Sequence, residues 1–178
     1  MSESESKFPR VSVLLGILIL GIGIDQGTKW WATQTLDPHV VHSYFGDTFR
    51  LTFALNPGAF LGLGGTMSEA ARFWLLTGLN SVFLVALVVV LIMNWNMRPI
   101  SFVSLALLLS GGIGNLIDRT TQNGLVTDFL NVGIGPLRTG IFNVADMAIM
   151  AGAGILLWQS FRDEKTRATN DTPTAVAQ

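Results

Sequence analysis

The 178-residue chain has no cysteine, which excludes disulfides, thiol nucleophiles and thiolate metal sites. Charge is scarce as well. Only 13% of the residues are Asp, Glu, Lys or Arg, about half the usual share of a soluble protein, while 49% are hydrophobic. This balance argues against a soluble globular enzyme. There is no surplus of base: 11 basic residues face 12 acidic ones for a net charge of −1, which argues against nucleic acid as a partner. The two histidines, His39 and His42, lie in a loop beside Pro38 with no H-E-x-x-H pattern and no obvious serine partner. No internal repeat is visible, which disfavours a carrier built from inverted halves.

What the chain does have is long apolar sequence. A membrane-spanning helix takes about 20 mostly apolar residues, and four stretches qualify. Val11 to Ile24 is charge-free and continues through Asp25-Gln26-Gly27-Thr28-Lys29 into Trp30-Trp31, so the first helix carries its polar residues at its far end. Phe73 to Met97 and Pro99 to Ile117 hold no charge, and Thr139 to Phe161 holds one, Asp146. Pro99 suits a first helical turn, where its missing N–H would be unpaired anyway. A basic flank, Lys7 and Arg10, also fits a cleaved secretory signal. However, no small-residue cleavage pattern follows, and paired tryptophans fit a helix arriving at a membrane interface.

Four spans put both termini on one side. Lys7, Arg10, Arg98, Arg162, Lys165 and Arg167 lie on that side, against Lys29, Arg50, Arg72, Arg119 and Arg138 on the other. The clusters flanking the first and last helices favour cytoplasmic termini. Between the first two spans, Phe49, Leu51, Phe53 and Leu55 alternate with Arg50, Thr52 and Ala54, a period of two that predicts a β-strand over the helix ends or at the membrane surface. Gly46-Asp47 supplies a turn before it, and Thr66 with Glu69 resembles a capping box opening the second helix. The polar stretch from Asp163 to Gln178 reads as disordered.

The fold expected is an all-α membrane protein of four transmembrane helices with a small extracytoplasmic β-containing segment over the helix ends. The spans are predicted at 11–31, 70–94, 99–118 and 141–161, within one unit over 11–161. Residues 32–69 and 119–140 are then periplasmic, 1–10 a cytoplasmic tail and 162–178 a disordered cytoplasmic tail.

Ionisable residues inside a span are costly, roughly 2.5–3.5 kcal/mol at a helix centre on insertion scales, so their placement carries information. With alternating helix directions, Asp25, Lys29, Asn56, Asn115, Asp118, Arg119, Asp128, Asn143 and Asp146 all collect at one end of the bundle. Asn115 is three residues from Asp118 and four from Arg119, offsets that share a helix face, and Asn143 and Asp146 repeat the three-residue offset. Each group has a plainer reading. Glycines 111, 112 and 114 serve helix packing, Asp118-Arg119 forms an interfacial pair, Asp146 complements a helix N-terminus, and Asp128 is a loop carboxylate in water. Taken together, two aspartates from adjoining segments can meet at the membrane surface. Two carboxyls held close cannot both ionise, so one keeps a proton while the other activates water against an amide, which is a peptide hydrolase design. A Ser-Lys dyad would have to join Lys29 to Ser110 or Ser81, and mid-span serines more often bond between helices.

These residues, in this order, match a known pattern. Asp25-Gln26-x-x-Lys29, Asn56-x-Gly58-Ala59, Gly112-x-Gly114-Asn115-x-x-Asp118-Arg119, Gly124-x-Val126-x-Asp128-Phe129 and Phe142-Asn143-x-Ala145-Asp146 cover roughly residues 11 to 160. The chain thereby resembles the lipoprotein signal peptidases, or signal peptidase II. The resemblance implies a multi-pass enzyme of the bacterial inner membrane with both termini cytoplasmic and its site near the periplasmic face. It implies an aspartic dyad at Asp128 and Asp146 that cuts diacylglyceryl prolipoproteins just before the lipid-modified cysteine, with no metal and no cofactor. Asp25, Lys29, Asn56, Gly58, Asn115, Asp118, Arg119, Asn143 and Ala145 would shape or line that site. Membrane lipid and globomycin-type inhibitors are the other implied partners. Two departures stand out: Phe60 follows Ala59 directly where two alanines are common, and the stretch from Arg119 to Asp128 is one residue longer than expected. The alternative from another class is a small transporter or scaffold whose polar cluster binds an ion or partner.

Overall fold

The computed structural model describes residues 9–58 and 67–170. The elements run α1 (Arg10–Thr35), β1 (His42–Tyr44), β2 (Phe49–Asn56), α2 (Glu69–Met93), α3 (Pro99–Thr121), β3 (Val126–Ile134), β4 (Leu137–Arg138) and α4 (Val144–Asn170). All four helices are long and apolar enough to cross a membrane. This is the predicted class, four spanning helices with a small sheet.

Burial on α1 is the reverse of a water-soluble helix. Ile19, Leu20 and Trp30 are 65–69% exposed, whereas Asp25 and Lys29 are 1% and 3% exposed. Asp25, Lys29, Ala32 and Leu36 recur at helical spacing on the inward stripe. Apolar side chains lose nothing by facing lipid, and charged ones are held only where they find partners inside the bundle. α3 is the central helix, packed against α1, α2 and α4. Leu84, Leu87 and Leu91 of α2 interlock with Phe102, Leu105, Leu108 and Leu109 of α3 and form the dry core at the end away from the sheet. Nearer the sheet, α3 meets α4 through Gly111, where a Cβ would strike the carbonyl oxygen of Ala145 and the side chain of Ile149. Glycine is needed there because the backbones touch.

The sheet has the order β1-β2-β3-β4 with every pair antiparallel. β2 and β3 pair from Phe49↔Val132 to Asn56↔Val126, with a register shift between Leu51 and Ala54. β3 is pinned to the end of α1: Phe129 is buried with Ala32 and Leu36 and meets the Trp31 ring edge-on at 6.5 Å. The strand predicted from alternation is β2, and it lies over the helix ends.

Boundaries differ at several helix ends, α3 among them, which runs to Thr121 where 118 is predicted. α1 continues to Thr35, and α4 begins at Val144, after the Asn143 cap described below. α4 also runs on to Asn170, so residues 162–170 are helical where the sequence predicts a disordered tail. No glycine or proline interrupts 155–170, and Arg98 clamps the extension by donating to Asp163 at 3.0 Å. Residues 171–178, Ala59, Phe60 and Thr66 lie outside the described residues. The N-cap of α2 is Ser68, whose hydroxyl accepts from the Ala71 N–H at 3.3 Å, which places Glu69 in the first turn and not at the third position of a capping box.

Candidate active site

α4 opens with a reciprocal cap. The Asn143 side chain accepts from the Asp146 N–H at 2.9 Å, and the Asp146 carboxylate accepts from the Asn143 N–H at 3.2 Å. The three-residue offset seen in the sequence is therefore a capping box, which fixes the Asp146 rotamer at the helix N-terminus. Asn143 is fully buried, and its Nδ2 donates to Asp128 Oδ1 at 2.6 Å. One asparagine thus holds both aspartates, one through its backbone and one through its amide.

Two further asparagines complete the arrangement. Asn115 of α3 donates from Nδ2 to Asp146 Oδ1 at 2.8 Å. Asn56, the last residue of β2, donates from Nδ2 to Asp128 Oδ2 at 2.8 Å. In each case the amide cannot turn over freely, because its carbonyl oxygen is already occupied. Asn56 Oδ1 accepts from the Gly58 N–H at 2.8 Å, which Gly58 reaches with a left-handed φ of +79°. Asn115 Oδ1 accepts from Lys29 Nζ at 3.0 Å and from Asn143 Nδ2 at 3.2 Å. The three amides therefore present N–H groups to the two carboxylates and leave those carboxylates as acceptors.

Behind this layer is a buried charge network. Lys29 Nζ lies 2.9 Å from Asp25 and 3.1 Å from Asp118. Asp25 also accepts from the Ala145 N–H at 2.9 Å, at the start of α4, and Asp118 accepts from the Thr127 N–H at 2.9 Å, one residue before Asp128. The network ties α1 and α3 to the two segments that carry the aspartates. Gly114 makes room for it, since a Cβ there would collide with the Asp25 carboxylate. Lys29 is a buried bridge, and one plainer reading changes: Asp118 pairs with Lys29, not with Arg119. Arg119 donates from Nη1 to the Asn115 carbonyl at 3.2 Å, faces the charges of Asp146, Asp128 and Asp118, and leaves Nε with no hydrogen-bond partner among the described residues.

Electrostatics separates Asp128 from an ordinary carboxylate. Burial, followed by the Asp146 charge, pushes it up to about 6, against the opposing pull of the Asn56 and Asn143 donors and of Lys29. Its neutral form persists to higher pH than that of an ordinary carboxylate, although two donors point at it.

The structure thus gathers Asp25, Lys29, Asn56, Gly58, Asn115, Asp118, Arg119, Asp128, Asn143, Ala145 and Asp146 at one end of the bundle. Ser110 and Ser81 are elsewhere, donating to the carbonyls of Ile17 and Thr77, so neither forms a dyad with Lys29. Sequence reasoning gave no role to Gln26, although it stands in the first motif block, and passed over Asn80. Gln26 donates to Asp118 at 3.0 Å and to the Gly114 carbonyl at 3.2 Å, and Asn80 donates to the Gly112 carbonyl at 3.1 Å. Asn80 stands in a charge-free run, and a lone amide inside a span was the available signal.

Known proteins resemble this chain over most of its length. The lipoprotein signal peptidase of Moorella thermoacetica is 39% identical over 149 residues, which cover 83% of this chain and 90% of that protein. The lipoprotein signal peptidase of Oleidesulfovibrio alaskensis is 34% identical, over 82% and 92% of the two chains. A solved structure described as a bacterial membrane enzyme, determined by the in meso method, superposes with a TM-score of 0.74 at 25% identity, over 86% of this chain and 95% of its own. Residues 17–162 match the family described as signal peptidase (SPase) II. With four apolar spans, a small sheet and a family match that covers most of both, the chain belongs to the signal peptidase II family and is a membrane peptidase of lipoprotein processing.

Proposed function

We propose that the protein is an aspartic endopeptidase in which Asp128 and Asp146 are the catalytic pair. It removes the signal peptide from diacylglyceryl prolipoproteins by cutting before the lipid-modified cysteine. The observation that carries this reading is that Asn143 fastens both carboxylates at once, Asp128 at 2.6 Å and Asp146 at 3.2 Å.

In the reaction one carboxylate removes a proton from water, and the water oxygen bonds to the scissile carbonyl carbon. The other carboxyl gives its proton to the carbonyl oxygen. Collapse of the tetrahedral species breaks the C–N bond, the proton taken from water goes to the departing amine, and a hydroxyl of the gem-diol returns its proton to the second carboxylate as the product carboxyl forms. Burial of Asp128 supports the shared-proton state by favouring a neutral carboxyl on that side of the pair. Asn56, Asn115 and Asn143 hold the pair in place without supplying protons. Arg119 keeps Nε as an unused donor, suited to a substrate carbonyl.

The location fits a lipid-anchored substrate, because acyl chains remain in the bilayer while an extended peptide reaches the helix ends. The reading places the chain in the bacterial inner membrane with both termini cytoplasmic and the aspartates near the periplasmic face, and it expects inhibition by globomycin. The test is a gel-shift assay of the purified protein with a lipid-modified prolipoprotein, with and without EDTA and globomycin. Cleavage that EDTA leaves intact and globomycin stops is the expected result. Loss of cleavage with EDTA would point to a metal and end the aspartic reading.

A further inference from the structure

At the end of the sheet away from Asp128, the register brings two hairpin tips together. Phe49 opens β2 opposite Val132 near the close of β3, so the turn before β2 and the turn between β3 and β4 share one edge. The Gly133 N–H donates to the Thr48 carbonyl at 2.9 Å and joins them. Three large apolar side chains project there: Phe45 is 85% exposed, Ile134 78% and Leu137 82%.

Phe45 is held at a φ of +53°, a region that a bulky residue adopts only at a cost and that glycine, asparagine or aspartate would occupy easily. An aromatic ring kept in a strained turn and turned outward has a use beyond the fold. The tips beneath are rigid. Arg50 donates to the Asp47 carboxylate at 2.6 Å and holds it well below the usual carboxylate range. Arg138 donates to the Asp47 carbonyl at 2.7 Å and to Asn131 at 2.6 Å, and Asn131 donates to the Thr139 carbonyl at 2.7 Å.

The mounting of the sheet indicates what the tips meet. β3 rests through Phe129 on Ala32, Leu36 and Trp31, at the end of a helix whose outward Trp30 marks a membrane interface. The sheet is thus mounted at the interfacial end of the bundle, where exposed apolar tips can meet lipid, while the guanidinium groups of Arg50 and Arg138 are taken up by Asp47 and Asn131.

We propose that the paired hairpin tips are a lipid anchor, in which Phe45, Ile134 and Leu137 enter the acyl boundary of the leaflet nearest the sheet. The anchor does not depend on the reaction. Its consequence, that it sets the depth of β3 and hence of Asp128 relative to a lipid-held substrate, rests on the function proposed above.

The absence of native cysteine makes the test direct. Single cysteines at positions 45, 134 and 137 of the full chain are labelled with a nitroxide in phosphatidylcholine–phosphatidylglycerol nanodiscs, and collisions with oxygen and with a water-soluble nickel chelate are compared. The anchor predicts oxygen collisions severalfold above nickel collisions at all three positions. Labels more open to nickel would overturn it by placing the tips in water. Labels shielded from both reagents would overturn it in favour of a protein contact. The readout needs no cleavage, so its failure is separable from failure of the peptidase reading.

Discussion

Lys29 shows how far one side chain reaches. It neutralises two buried carboxylates and fixes the amide of Asn115, which then donates to Asp146. Lys29→Met leaves Asp25 and Asp118 without their cation, and removing one partner of such a buried set costs about 3–5 kcal/mol. Thermal unfolding in detergent should show a large drop in Tm and little cleavage, whereas a near-normal Tm would contradict the buried bridge. Asp128 gives a pH signature. Its folded-state value of about 6 exceeds the ordinary 3.8, so the folded form binds more protons between those values. Stability from this residue is then present at the acid end and declines as pH rises from about 4 to about 6, by on the order of 3 kcal/mol. The Tm of wild type minus that of Asp128→Asn should fall across this window; a rise would contradict the burial of Asp128. At this scale the sequence showed which residues gather but not who bonds to whom. The plainer reading set Asp118 with its neighbour Arg119, yet the partner came from α1, because a pairing across helices leaves no periodic trace.

At the scale of elements, the charge-free runs made all four spans legible, since a bilayer tolerates few alternatives to a continuous apolar helix. Their ends were less legible. α4 passes the last apolar residues because nothing in 155–170 breaks a helix and Arg98 clasps Asp163. β2 was readable from its alternation. β1 and β4, with three and two residues, are too short for any period to emerge. The stretch from Arg119 to Asp128 turns at Asn123 and Gly124, which both take positive φ, and the Asp118 carboxylate holds the Thr127 N–H beyond the turn. The joint between α3 and α4 is the element-level weak point. Gly111→Ala drives a methyl into the Ala145 carbonyl, and overpacking of this kind costs about 1–3 kcal/mol. Cleavage should fall with Tm, because Ala145 and the Asp146 cap move together; an unchanged Tm would show that the helices separate at no cost.

For the whole molecule, the polar cluster and the α2–α3 connection lie at opposite ends of the four-helix bundle. Single cysteines at Asn96 and Asn123 in inverted membrane vesicles should therefore label from opposite sides, with Asn96 on the side of the C-terminus. Labelling of both from one side would break the four-span topology. The class of the fold was legible in composition, and the site was legible as a set of residues at one end of it. What the sequence withheld was the asparagine scaffold that turns two aspartates into a pair. The account is tested most directly by giving purified Asp128→Asn and Asp146→Asn proteins a diacylglyceryl prolipoprotein and measuring release of the signal peptide. Asp146→Asn should melt within a few degrees of wild type, as expected for a change worth about 1 kcal/mol at a helix cap, Asp128→Asn should melt at least as high as wild type at neutral pH because it removes a buried charge, and both should release none. Release at a near-normal rate by either one would contradict the shared role of these two carboxyls.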